Sequence, residues 1–361
     1  ADKNVAVGAY ALQNETTGLH SVAIGYGAML GNASTHGAGN SVAVGYNALT
    51  AVSSGSFNTI MGALAGDAIT TGANNTAVGY TALTSLTTSS KHVAIGQGAS
   101  ASVSTGSYST SVGYNALYAL TTGDANVAVG TEALDSLTTG SSNIAMGKGA
   151  GGAQTTADNN IYIGAEAGKN NNGTQDIYIG YQCGYTNTGS GNCVSIGYQA
   201  DYFGAGERRM GIGAHTMSSN TLSSATDGSI DCVGVGYAAL MKNQGGNNTA
   251  IGSLCGDAIT SGAGNTAVGK SALSAETSGS NNTCVGLNAG ANIAGGSNNT
   301  AIGNEAGETG SPGGSIGGGS NHYCLGDENV AEAHIQVDWT IASDKRDKTD
   351  VSPMDLGLEF I

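Results

Sequence analysis

Apolar and polar positions follow one pattern along most of the chain: a short alternation such as Asn-Val-Ala-Val or Asn-Thr-Ala-Ile, a glycine, then a stretch of small residues closed by a second glycine. The first glycine recurs at Gly8, Gly25, Gly45, Gly62, Gly79, Gly96, Gly113, Gly130, Gly147, Gly164, Gly180, Gly197, Gly213, Gly236, Gly252, Gly269, Gly286, Gly303 and Gly326, mostly 17 residues apart. A period of two within each alternation predicts a strand, and a unit of 17 residues is too short for a helical hairpin. The pattern therefore predicts an all-β chain, a parallel β-solenoid or β-roll of about 19 coils of about 17 residues, each coil burying its apolar face only against its neighbours.

Aligning the units on this glycine assigns a task to each position. The residue just before it is Val, Ile, Leu or Met in all nineteen units and is expected to point into the core. Three residues after it stands Ala in fifteen of nineteen, which implies close approach of another backbone. Four residues before it, Asn appears ten times, and stacked asparagines can form side-chain ladders. The closing glycine, often in Thr-Thr-Gly, supplies a turn. In the best copies, such as Asn126 to Gly140, a strand, a glycine bend, a second short strand and a turn follow in order. The longer gaps before Gly45, Gly236 and Gly326 read as loops swelling from regular coils. Such a thin coil buries little apolar surface, so several chains wrapped around one axis, covering the constant alanines, are expected: a fibrous homotrimer.

Composition sharpens the picture by exclusion. With 61 glycines but only two prolines, and no glycine at every third position, the chain is not collagen. The net charge of −15 argues against a nucleic-acid partner. No run of about 18 apolar residues is present, so no membrane insertion is expected. The chain begins inside a repeat with no capping segment, which leads us to expect a piece of a longer protein.

Most apparent chemical motifs dissolve once the repeat is imposed. All six cysteines replace small residues in register, and Cys193 and Cys232 share a slot two coils apart, too far for a disulfide. They read as buried free thiols. Gly264 to Ser271 (GNTAVGKS) matches a phosphate loop, but its Ala267 and Val268 occupy strand positions where the motif needs a strand leading into a helix. The six histidines show no metal-ligand spacing, although a three-fold axis could gather copies of His92 or His322, which both take the asparagine slot. No metal or other cofactor is expected. Aromatic residues crowd locally: Tyr162, Tyr178, Tyr185, Tyr202 and Phe203, followed by Arg208 and Arg209. These are either a surface that holds a sugar or a tyrosine ladder that stabilises adjacent coils. The acidic residues of the body, among them Asp67, Glu132, Asp135 and Glu166, are scattered in sequence and do not suggest the paired carboxylates of a glycan-degrading enzyme. The threonines concentrate in turns rather than in the flat array that ice binding needs.

Three regions follow: a repeat shaft at 1–326, a terminal strand and trimer-closing segment at 327–342, and a distinct segment at 343–361. Ser343-Asp344-Lys345-Arg346-Asp347-Lys348 followed by Leu356-Gly357-Leu358-Glu359-Phe360-Ile361 resembles the opening of the endosialidase-type intramolecular chaperone domain at the C-termini of trimeric phage tail fibres and tailspikes. That resemblance implies a domain that drives trimerisation and then removes itself, with Ser343 as nucleophile and Lys348 as its base. The rest of such a domain does not follow Ile361, so the expectation is either truncation or no cleavage. The repeats, such as Asn40 to Leu49, also resemble the β-roll head repeats of trimeric autotransporter adhesins. Together these resemblances imply an extracellular virion tail fibre that is structural rather than enzymatic. Its partners would be two further copies of itself, a bacterial surface glycan or receptor, and other virion tail proteins. An adhesin head is the alternative, and a glycan-degrading tailspike a third reading.

Overall fold

A computed structural model describes residues 3–31, 37–187, 191–204, 206–218, 229–311 and 314–332. Two units are distinguished, Ala1–Glu328 and Asn329–Ile361. The first is a β-solenoid in which nineteen three-residue strands, from β1 (Val5–Val7) to β19 (Tyr323–Leu325), form one parallel sheet, each strand paired in register with the next. In mid-shaft, for example, β8 (Val127–Val129) pairs with β9 (Ile144–Met146) through Val127–Ile144, Ala128–Ala145 and Val129–Met146. Consecutive coils are thus spaced by one strand separation of about 4.8 Å. The described part of the second unit carries no strand.

The repeat glycine ends every strand because of where its α-carbon sits. At Gly130 φ is +136°, and an added Cβ would lie 2.6 Å from the carbonyl oxygen of Gly147 in the next coil. An L side chain is excluded both by backbone conformation and by the packed neighbour.

Which strand face is inside differs from expectation. In every strand after β1 the middle residue is buried, as Ala23, Ala43, Ala128 and Ala145 are, whereas the aliphatic residue before the glycine faces outward: Ile24 is 40%, Met61 44% and Met146 44% exposed. Period-two alternation assigns these residues to two faces but does not say which is the interior. The narrow coil selects the small residue for its inside. The constant alanines, such as Ala28, Ala82 and Ala116, are likewise buried within their own chain rather than awaiting a partner. The rest of the core comes from the fourth and seventh residues after the glycine, Leu83 with Leu86 or Leu134 with Leu137.

The expected second strand is not formed. The second and fourth residues after the glycine have positive φ, as at Asn115 (52°) and Leu117 (54°), so the backbone cannot pleat. This segment still bonds coil to coil, with the Leu117 amide donating to the Ala133 carbonyl at 3.0 Å. The Thr-Thr-Gly turns do the same through side chains: the Thr121 hydroxyl donates to the Thr138 carbonyl, and Thr138 to Thr155.

The asparagine ladder exists, but most of its rungs join side chain to backbone. Buried Asn143 accepts the Asn160 amide on its Oδ1 at 3.0 Å and donates from its side chain to the Ala157 carbonyl at 2.8 Å. Direct amide-to-amide rungs occur among the described residues at Asn143–Asn126, Asn265–Asn248 and Asn282–Asn265. Each fully satisfied buried bond of this kind contributes about 1 kcal/mol net.

His92 occupies the same slot, buried, with Nε2 donating to the Gly106 carbonyl at 2.6 Å. Its ring lies inside its own coil, so it cannot meet copies of itself on a three-fold axis. Burial holds its imidazole below the ordinary value of 6.5. Between the lowered folded value and 6.5 the unfolded chain takes up a proton that the folded chain refuses, so stability falls as pH drops through this window. His92→Asn, which restores the ladder residue, is expected to flatten this loss. Thermal melts of both proteins at pH 7.5 and 5.5 check it, and equal acid sensitivity would count against the assignment.

Candidate functional site

The aromatic cluster separates into three groups. Tyr162 and Tyr178 are the middle residues of their strands, fully buried and stacked on each other with ring centroids 6.0 Å apart. They fit because the fourth position of nearby coils is glycine. An added Cβ at Gly151 would lie 2.8 Å from the Tyr162 ring, and one at Gly168 or Gly184 would strike Tyr162 or Tyr178 directly. Their hydroxyls end in buried polar side chains: Tyr162 donates to Gln154 Oε1 at 3.0 Å and accepts from Asn171, and Tyr178 accepts from Asn187. Asn171 also donates to Asp176, whose carboxyl burial pushes up. These two tyrosines are core, and the expectation that they line a binding surface is corrected.

Arg209 is corrected in the same way. It stands in the asparagine slot, buried, with its guanidinium 2.8 Å from buried Asp201 and a second nitrogen donating to Ser229. Gly204, at the seventh position where other coils carry aliphatics, leaves it room. Such an internal ion pair costs several kcal/mol if one partner is removed. Arg208 is exposed, its guanidinium gripping Asp231 at 2.7 and 3.1 Å and touching Glu207 at 3.2 Å.

Tyr185, Tyr202 and Phe203 do come together at the surface. Tyr185 and Tyr202 stack nearly parallel at 5.0 Å, Lys169 covers the Tyr185 ring at 5.7 Å, and Phe203 meets Tyr202 edge to face at 4.4 Å. Within the stack, ring faces are turned to each other and edges to solvent, whereas a sugar packs on a ring face. The arrangement is that of a ladder along the shaft. A second stack, Tyr181–Tyr198 at 5.5 Å, continues edge to face through His215 to Tyr237. Between the stacks runs an amide row: Gln199 donates to Gln182 and Gln182 to Glu166, both at 2.8 Å.

This row leads to a feature that sequence reasoning missed. Glu132, Asp135 and Glu166, scattered in sequence, meet around a cavity of about 240 Å³ that also borders Ser136, Lys148, Gly149, Gly152, Ala153 and Lys169. The signal was available: the 17-residue period places residues 132, 149 and 166 above one another, and 135, 152 and 169 likewise. Burial and the neighbouring Glu132 charge raise the Asp135 carboxyl, while Lys169 and Gln182 lower that of Glu166. Among the described residues no group of three or more His, Cys, Asp and Glu could hold a metal ion.

The remaining expectations find their places. The six cysteines are free and buried, and burial raises the thiols of Cys255 and Cys284 to about 12. The phosphate-loop match spans strand Thr266–Val268 and turns, with no helix after it and Ser271 at φ 54°. His322 is exposed at its side chain and keeps the backbone rung to Asn299. No helix among the described residues is long and apolar enough to cross a membrane. Ser343 and Lys348, the strand expected at 334–342, and much of the loops before Gly45 and Gly236 lie outside the described residues. No protein-family model matches the chain, and no curated protein matches it.

Proposed function

We propose that the chain is the structural shaft of a trimeric fibre, part of a phage tail fibre, that attaches to a bacterial surface glycan. The observation that carries this reading is the outward sheet face. The third residues of successive strands are Val, Ile, Leu or Met and form an apolar strip, including Ile95, Met146, Ile163, Ile196 and Ile251, each between 37% and 44% exposed. Continuous apolar surface of this length marks an interaction surface. A partner with the same 4.8 Å repeat matches it at every rung, and another copy of this chain has that repeat.

Nineteen coils at about 4.8 Å make a rod on the order of 90 Å. Such a rod spans distance and repeats each surface feature three times around its axis, which supplies avidity. The C-terminal resemblance to tail-fibre chaperone domains supports the placement in a virion.

The test is light scattering on the purified protein together with a binding assay on bacterial cells and their capsular polysaccharide. A mass of three chains, with attachment and unshortened polysaccharide, is the expected result. A single-chain mass would defeat the trimer, and shortened polysaccharide would make the protein an enzyme.

A further inference from the structure

The residue two after the repeat glycine is itself glycine in three coils, at Gly27, Gly98 and Gly149. At Gly27 and Gly98 the vacated space is filled, because the side-chain oxygen of Asn47 or Asn115 from the following coil occupies the place a Cβ would take. At Gly149 it is not. The corresponding residue of the following coil is Glu166, whose Cγ lies 3.8 Å from that place. Its carboxylate is held by Lys169 at 2.7 Å and by Gln182, one coil further on, at 2.8 Å. Three residues after Gly149, Gly152 lacks a side chain too, and no other repeat has glycine at both positions. The cavity is therefore a gap of one coil that is kept open by hydrogen bonds on its far wall.

Its chemistry is selective. Glu166 and Lys169 neutralise each other. Glu132 and Asp135 on the opposite wall, set against Lys148 as the remaining cation of the lining, leave one negative charge in excess. The volume of about 240 Å³ is below the roughly 300 Å³ at which sites for drug-sized ligands begin, and suits a single ring. Carboxylates accept hydroxyl and ammonium donors, and lysines donate to ring or glycosidic oxygens.

We propose that this notch binds one sugar residue carrying a free ammonium group, with Glu132 and Asp135 accepting from the ammonium and hydroxyls and Lys148 donating to a ring oxygen. The inference rests on the glycan-attachment reading and names the sugar class. The notch lies after the glycine bend, off the aliphatic strand face, so assembly through that face leaves it open. Burial raises the Asp135 carboxyl, and protonating it removes one acceptor of the ammonium, so binding weakens as pH falls and does so at higher pH than for a free aspartate.

Ligand-observed NMR with glucosamine, glucose and cadaverine tests it on the full chain. Gly149→Asn places an amide in the gap at φ +63°, a conformation that asparagine tolerates, and Asp135→Asn removes the charge without changing shape. The expected result is saturable glucosamine binding, weaker glucose binding, and a loss of roughly tenfold or more in either variant, with melting temperatures unchanged. No binding to the wild type, equal binding to Gly149→Asn, or cadaverine competing as well as glucosamine would each overturn the proposal. If Gly149→Asn protein still attaches to bacteria, the notch fails and the attachment reading stands. If wild-type protein attaches to no cell, the attachment reading itself fails.

Discussion

Gly130→Ala is expected to open the shaft at its middle. The methyl group would sit 2.6 Å from the Gly147 carbonyl oxygen and 2.7 Å from its carbon, and both are backbone atoms fixed by the strand pairing of β8 with β9. A backbone held at φ +136° adds strain of about 1–3 kcal/mol, and forcing a methyl into a packed interface about 1–3 kcal/mol more. The clash cannot be relieved by shifting one coil, because the next coil is bound in the same way to the one after it. Repeat arrays lose stability at the interface between neighbours, so the loss should be local. Hydrogen exchange is the fitting measurement. Amides of residues 127–150 should lose protection by several kcal/mol while the coils around Gly269 keep theirs. Uniform protection across the shaft would show that the glycine is replaceable.

That the strand, the bend and the ladder were legible follows from repetition. A position that recurs in nineteen coils carries its constraint nineteen times, and Gly130 or Asn143 can be assigned a task from spacing alone. The direction of the faces was not legible. Ile24 and Ala23 alternate, hydrophobicity favours Ile24 for the interior, and only the narrowness of the coil decides for Ala23. Tyr162 and Tyr178 misled for a related reason. Each is large in a slot that holds mostly alanine, and it becomes readable as core only when matched against Gly151, Gly168 and Gly184, glycines four residues after repeat glycines. Core volume is balanced across slots of neighbouring coils, whereas inspection of one slot shows only the excess. The notch was hidden by the opposite effect. Its defining feature is two missing side chains, and Glu132, Asp135 and Glu166 look scattered until the period stacks them.

The second large expectation concerns the outward strip. Met61, Ile95 and Met146 are exposed on the third position of their strands, on coils that are not adjacent, so a lysine at each leaves the single-chain core untouched. The side chains also tolerate the change sterically, since lysine can extend into solvent from a strand surface. In the proposed trimer the same three positions would be covered by partner chains, and each unpaired ammonium would then cost several kcal/mol of desolvation. Repeated in three chains, nine such charges exceed what any contact along the shaft can offset. Met61→Lys/Ile95→Lys/Met146→Lys is therefore expected to fall from three chains to one in light scattering, while its circular dichroism keeps the wild-type strand signal. Lysines at Thr88, Thr122 and Thr156, exposed on the turns of non-adjacent coils rather than on the strip, serve as the matched control and should leave the mass at three chains. If the strip variant stays trimeric, the chains associate through another face and the aliphatic ladder needs a different occupant.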